Sequence, residues 1–132
     1  MNATFVLSDP VQNIVLLFGR ALLSAIYIVG GYKKLVAPQA TQSYFTNSGV
    51  PLPKLAWIVA VIVELLGGLA LLLGIQTRPV AALLALWSIA TAVAAHSNFA
   101  DHEMRIHFMK NLAMAGGYIV VAVLGAGVYA LG

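Results

Sequence analysis

The chain has 132 residues, 61% of them hydrophobic and only 8% charged, whereas an average soluble domain is about half apolar and about a quarter charged. So few charges cannot cover a globule of this size in water, and a mean hydropathy of +0.95 excludes a disordered chain, which needs low hydrophobicity and high charge. The formal charge of +3 is scattered and cysteine is absent, which excludes a basic cluster for nucleic acid and any disulfide, thiol couple, iron–sulfur cluster or thiolate zinc site.

What remains is an integral membrane protein, with the lipid bilayer as its first partner. Residues 10–32 contain Arg20 as their one charge, residues 55–77 contain Glu64, and residues 79–100 and 111–132 contain none. Each stretch has 22 or 23 residues, and about 20 residues of helix at ~1.5 Å per residue cross the roughly 30 Å hydrocarbon core. The expected fold is all-α, one membrane domain over residues 1–132 with an antiparallel bundle of four transmembrane helices at about residues 11–32, 55–75, 79–97 and 108–130. A β-barrel would need alternating strands, and the run from Leu65 to Leu73 does not alternate.

The first segment lacks a basic n-region and carries Arg20 where a signal peptide would be apolar, so it is expected to stay in the membrane. The loop from Lys33 to Lys54 is polar but holds Tyr44, Phe45, Pro51 and Pro53, which suggests a segment lying at the interface. Between the second and third helices only Gly74 to Pro79 remain, so those helices are antiparallel neighbours, Gly ending one and Pro starting the next. The last loop, Ser97 to Lys110, carries Asp101, His102, Glu103, Arg105 and His107. Both long loops share one side of the membrane, side B, and the termini and short turn share the other, side A. Side B collects Lys33, Lys34, Lys54, Arg105 and Lys110 against Arg78 on side A, and the positive-inside rule then places side B in the cytoplasm.

Arg20 and Glu64 stand out, because an ionisable side chain in hydrocarbon costs at least ~2.5 kcal/mol and usually faces the bundle interior with a partner. Counted from side A they lie at depths about three residues apart, or ~4.5 Å of helix rise, which predicts an Arg20–Glu64 ion pair near the midplane. Asn13, Ser24 and Tyr27 share the Arg20 face, and Gly67 and Gly68 beside Glu64 allow another backbone to approach. Such a pair serves either to fix helix register or to act in a site.

His96 falls near the side B end of its helix, where Lys34, Lys110 and Asn111 must also lie. With the deeper Glu64 they describe a ligand-binding pocket opening to side B, in which imidazole exchanges a proton and ammonium and amide groups orient an anion or a carbonyl oxygen. Simple interfacial anchoring is the alternative for each of them. His102, Glu103 and His107 fit no zinc signature, and no metal is expected. Tyr44, Phe45, Trp57 and Trp87 read first as interface belt or core residues.

Arg20 in the first helix, Gly30-Gly31-Tyr32-Lys33-Lys34-Leu35 at its end, Gly49-Val50-Pro51, Glu64-Leu65-Leu66-Gly67-Gly68, Leu73-Gly74, Thr77-Arg78, His96-Ser97-Asn98-Phe99, Phe108-Met109-Lys110-Asn111-Leu112 and Gly116-Gly117 occur in this order. Together they resemble the DoxX family of small four-helix bacterial inner-membrane proteins, from about residue 13 to 130. The resemblance implies an inner-membrane location, and recurrent polar positions that match here as Arg20, Lys34, Glu64, His96, Lys110 and Asn111. It also implies a link to redox or oxidative-stress physiology, through the likeness of that family to the membrane subunit of a thiosulfate:quinone oxidoreductase.

Two functions follow as expectations. In one, the chain is a component or subunit of a quinone-linked oxidoreductase, with His96 and Lys110 or Asn111 bonding the carbonyl oxygens of a quinone and Glu64 handling the proton. Electrons would then come from a soluble or membrane redox partner or another cofactor. In the other, the chain is a non-catalytic scaffold or assembly factor for a partner protein. Small-solute transport is a third reading, thin for one four-helix chain unless it forms a homo-oligomer, because neither repeats nor broken helices are evident.

Overall fold

A computed structural model describes residues 9–132; the first eight residues of the expected 1–132 domain lie outside the described residues. It is all-helical, with four helices long and apolar enough to cross a membrane, Pro10–Val36, Pro53–Leu73, Thr77–Ala95 and His102–Leu124. We label the helices α1 (Asp9–Val36), α2 (Pro38–Asn47), α3 (Pro53–Leu73), α4 (Thr77–Ala95) and α5 (His102–Leu124).

Proline and glycine set the boundaries. Pro38 forces Ala37 out of the helical region, to φ −132, so α1 stops and the ten-residue α2 begins with its proline in the first turn. No residue of α2 is buried, which fits the interface segment expected of this loop. Gly74, at φ +74, ends α3 in the left-handed conformation, and the Ile75 N–H reaches back to Ala70 O at 2.9 Å, satisfying a carbonyl the helix would otherwise leave open.

The last helix differs most from the sequence expectation of about 108–130. It starts at His102 because the Asp101 side chain accepts from the Glu103 and Met104 amides, an N-cap. It ends at Leu124 because Gly125 and Gly127 take positive φ. The tail then folds back over side A, where Leu131 N donates to Leu73 O, Gly132 N to Gly74 O and Val128 N to Asn13 Oδ1.

The interior is built on Tyr27, Leu71, Leu84, Met114, Tyr118 and Val121, while Phe18, Leu86 and Val123 on the outer faces are exposed, as a lipid solvent allows. Tyr27 and Tyr118 stack with ring centroids 5.6 Å apart. Close approach of α1 and α3 fixes their register. A Cβ on Gly31 would stand 2.7 Å from Leu65 N, and one on Gly68 would stand 3.1 Å from Ile28 N, so a larger residue would push the helices apart at Gly31 and crowd Ile28 at Gly68. Gly31 therefore lies opposite Leu65 and Ile28 opposite Gly68, which places Arg20 at the level of the Gly74 turn.

Candidate functional site

Glu64 sits in a π-helical turn, Ile62–Leu66, inserted into α3. Such turns break the regular hydrogen-bond ladder and are frequent at functional sites. Glu64 is 3% exposed, and both of its carboxylate oxygens are engaged. Lys34 Nζ donates to Oε1 at 2.7 Å and Trp87 Nε1 donates to Oε2 at 3.0 Å. Lys34 comes from the last turn of α1, where a cation also complements the helix dipole. Trp57 of α3 secures that turn by donating to Lys34 O at 2.7 Å.

The structure does not form the expected Arg20–Glu64 pair. Glu64 lies beside Gly30, whose Cβ would stand 3.4 Å from Oε1, and ten residues of α1 separate Gly30 from Arg20, about 15 Å of rise. Residue counts from the segment ends treat those ends as level, whereas the glycine contacts slide α3 along α1. Arg20, 2% exposed, finds carbonyls instead: Nη1 donates to Ala126 O at 2.7 Å, and Nη2 to Leu72 O at 3.1 Å and Tyr129 O at 2.6 Å. Leu72 O is among the last carbonyls of α3, which have no partner within the helix. Arg20 thereby ties α1 to the end of α3 and to the tail.

Lys34, Glu64, His96, Lys110 and Asn111, the five residues expected to line a pocket, all line one cavity of about 660 Å³. Its remaining walls are mainly apolar, including Ile26, Val29, Leu55, Val59, Ala90 and Ala94. The polar groups form a ladder toward side B. Glu64 and Trp87 lie deepest; one turn further along α4, Thr91 Oγ1 accepts from Asn111 Nδ2 at 3.0 Å. Near the mouth, the His96 and His107 rings lie 5.2 Å apart, and Lys110 Nζ is 3.5 Å from His107 Nδ1.

Tyr44, brought by α2, stands over this mouth. Its hydroxyl is 3.0 Å from both Ala95 O and His96 Nδ1, and its single proton goes to one of them. Donated to Nδ1, it leaves His96 Nε2 carrying a proton to give; donated to Ala95 O, it leaves Nε2 an acceptor. Burial, then the neighbouring His107, Lys110 and Lys34, hold the His96 imidazole down to about 4, so it is neutral at pH 7. Burial raises the Tyr44 phenol.

The DoxX family pattern matches residues 15–97, more than half of the chain. The chain belongs to the DoxX family. It is similar to inner membrane protein YqjF of Escherichia coli (strain K12), 35% identical over 120 residues covering 91% of each chain. It is also similar to inner membrane protein YphA of the same organism, 32% identical over 125 residues covering 91% of this chain and 89% of YphA. No solved structure matches it. With four spanning helices, this DoxX chain is a multi-pass inner-membrane protein. The family match includes Arg20, Lys34, Glu64 and His96 and stops before Lys110 and Asn111.

Two contributors to the DoxX cavity, Trp87 and Tyr44, carry the sequence signal of belt or core residues. Trp87 had a usable signal: it lies ten residues into α4 from side A and Glu64 nine from the side A end of α3, and a buried indole N–H needs an acceptor. Tyr44 had none beyond its place in an aromatic loop, since its contact with His96 depends on how α2 docks. His102 lies away from the cavity lining, its Nδ1 3.3 Å from Arg105 Nη2.

Proposed function

We propose that this DoxX protein is a ligand-binding component of redox or oxidative-stress physiology in the inner membrane. Its cavity takes a small lipophilic molecule with an oxygen-bearing head, quinone-like or anionic. The observation that carries this reading is an apolar cavity of about 660 Å³ in which Lys34, Glu64, His96, Lys110 and Asn111 gather. That is the composition of a ligand site, with apolar walls for the body and a few converging polar groups to orient the head. The volume lies in the range of drug-sized ligands, roughly 300–1,000 Å³.

In this reading Lys110 and Asn111 orient the oxygens of the head, and neutral His96 adds a donor or acceptor according to its tautomer. Glu64, held ready by Lys34 and Trp87, takes or gives a proton at a carboxylate oxygen. Electrons for a quinone ligand would come from a partner or another cofactor. The test is to purify the protein in mild detergent, extract it with organic solvent and measure quinones and other lipophilic molecules by mass spectrometry. A stoichiometric ligand in the wild type, lost when Ala94→Phe fills the cavity wall, is the expected result. A wild type that holds no such molecule and takes up none when decylubiquinone or oleate is supplied would refute the reading.

A further inference from the structure

The charges around the cavity discriminate between the two head chemistries. Lys33, Lys34 and Lys110 line it, and Glu64 is the one carboxylate among its lining residues. Glu64 is already engaged by Lys34, the one ion pair among the described residues. Lys33 and Lys110 are both exposed at the mouth, where water and salt weaken but do not remove their charge. Of the two, Lys110 stands beside Asn111 in the cavity lining: it reaches the cavity from α5, its hydrogen-bond contact is the ring of His107, and no carboxylate lies within ion-pair distance of it among the described residues. The His96 imidazole that shares its mouth is neutral at pH 7 and adds no further positive charge. With three cations and one anion on its wall, the site is short of negative charge, and an anionic head would supply it. A neutral carbonyl would leave both lysines without a counter-charge on the cavity wall.

The position of Lys110 also orients the occupant. Asn111 opposes Thr91 one turn above Trp87, so its neighbour Lys110 stands on the side B side of the Lys34–Glu64–Trp87 group. Ile26, Val29, Leu55, Val59, Ala90 and Ala94 supply apolar wall for a tail. A cavity of about 660 Å³ suits one chain and not the two of a phospholipid. Resting on the ligand-site reading above, we propose that the occupant is a single-chain amphiphile with a carboxylate head, the head paired with the Lys110 ammonium and the chain laid along the apolar wall.

The test uses the full protein in nanodiscs of zwitterionic phosphatidylcholine, with empty nanodiscs subtracted, and titrates oleate, methyl oleate and decylubiquinone. The wild type should bind oleate about twofold to fivefold more tightly than methyl oleate, the range of a solvent-exposed ion pair. Lys110→Met should abolish that preference by weakening oleate binding more than methyl oleate binding, and Lys110→Arg should retain it. Equal binding of oleate and the neutral probes by the wild type, or a preference that survives Lys110→Met, would overturn the carboxylate assignment while leaving the ligand-site reading intact. Phosphatidylglycerol displacing oleate at equal mole fraction would overturn the single-chain assignment. Binding of none of the three probes would remove the ligand-site reading and this inference together.

Discussion

The two ends of the bundle each bury a charge, and they treat it differently. At side A the Arg20 guanidinium is enclosed by three backbone carbonyls, from α3 and from the returning tail. At side B Glu64 is held by two side chains, Lys34 and Trp87, in a π-helical turn at the wall of a cavity. Carbonyls are fixed, neutral acceptors that cannot take up or release a proton, so the Arg20 end is a clasp. Side-chain partners can be exchanged for a ligand, and the cations beyond them are not all compensated. A buried charge in a membrane helix is therefore not a site by default; what satisfies it decides which role it has.

The largest expected effect breaks the clasp. Arg20→Met leaves three carbonyls without their donor and frees the tail, and should cost about 3–5 kcal/mol, the cost typical of removing one partner of a buried charged group. Thermal unfolding in detergent measures it, and Arg20→Lys, which lacks the forked donor geometry, should recover only part. A variant as stable as the wild type would remove the clasp from the account.

The next effect separates the two ends. Glu64→Ala leaves Lys34 and Trp87 without their acceptor and should cost ~2–4 kcal/mol. Combined with Lys34→Met, it should show coupling of at least ~1 kcal/mol, whereas Glu64→Ala and Arg20→Met should add within ~0.5 kcal/mol. Double-mutant cycles by thermal or denaturant unfolding give both numbers. Coupling to Arg20 in place of Lys34 would restore the midplane pair that the sequence alone suggested.

That contrast shows what was legible in the sequence. The four spans were, because charge-free runs of 22 or 23 residues leave little choice in a bilayer. The polar mouth at side B was too, because Lys34, His96, Lys110 and Asn111 fall at helix ends that alternation brings together. Axial register was not: it rests on Gly31 against Leu65 and Gly68 against Ile28, contacts that residue counts from the segment ends cannot see. The tail had a readable signal in Gly125 and Gly127, but an apolar run to Leu131 reads equally as helix.

A smaller effect refines the side B end. Trp87→Phe keeps the ring and removes the N–H that reaches Glu64 Oε2, and should cost ~1.5–3 kcal/mol, the worth of a hydrogen bond to a charged group. Its loss should shrink when Glu64→Ala is already present. Independence of the two substitutions, read by the same unfolding assay, would count against the contact.

A further effect is a pH dependence. The folded His96 pKa of about 4 lies below the ordinary 6.5, so between these values the unfolded chain binds more protons at this residue than the folded one. Its stabilising contribution is complete above pH 6.5 and is lost as pH falls toward 4. His107, Lys110 and Lys34 face the ring and oppose its protonation, while Tyr44 bonds it. The melting temperature should therefore fall over that window, and less steeply in His96→Gln. Parallel curves for the two proteins would show that the ring is not held neutral by its surroundings.

The central claim, that the side B cavity holds a ligand through its polar mouth, is tested most directly by quantifying the ligand that co-purifies with the wild type, His96→Ala and His102→Ala. His96 lines the cavity and His102 lies outside it. His96→Ala should lower the bound ligand per protein, and His102→Ala should leave it at the wild-type level. Equal loss from the two, or no loss from His96→Ala, would contradict it.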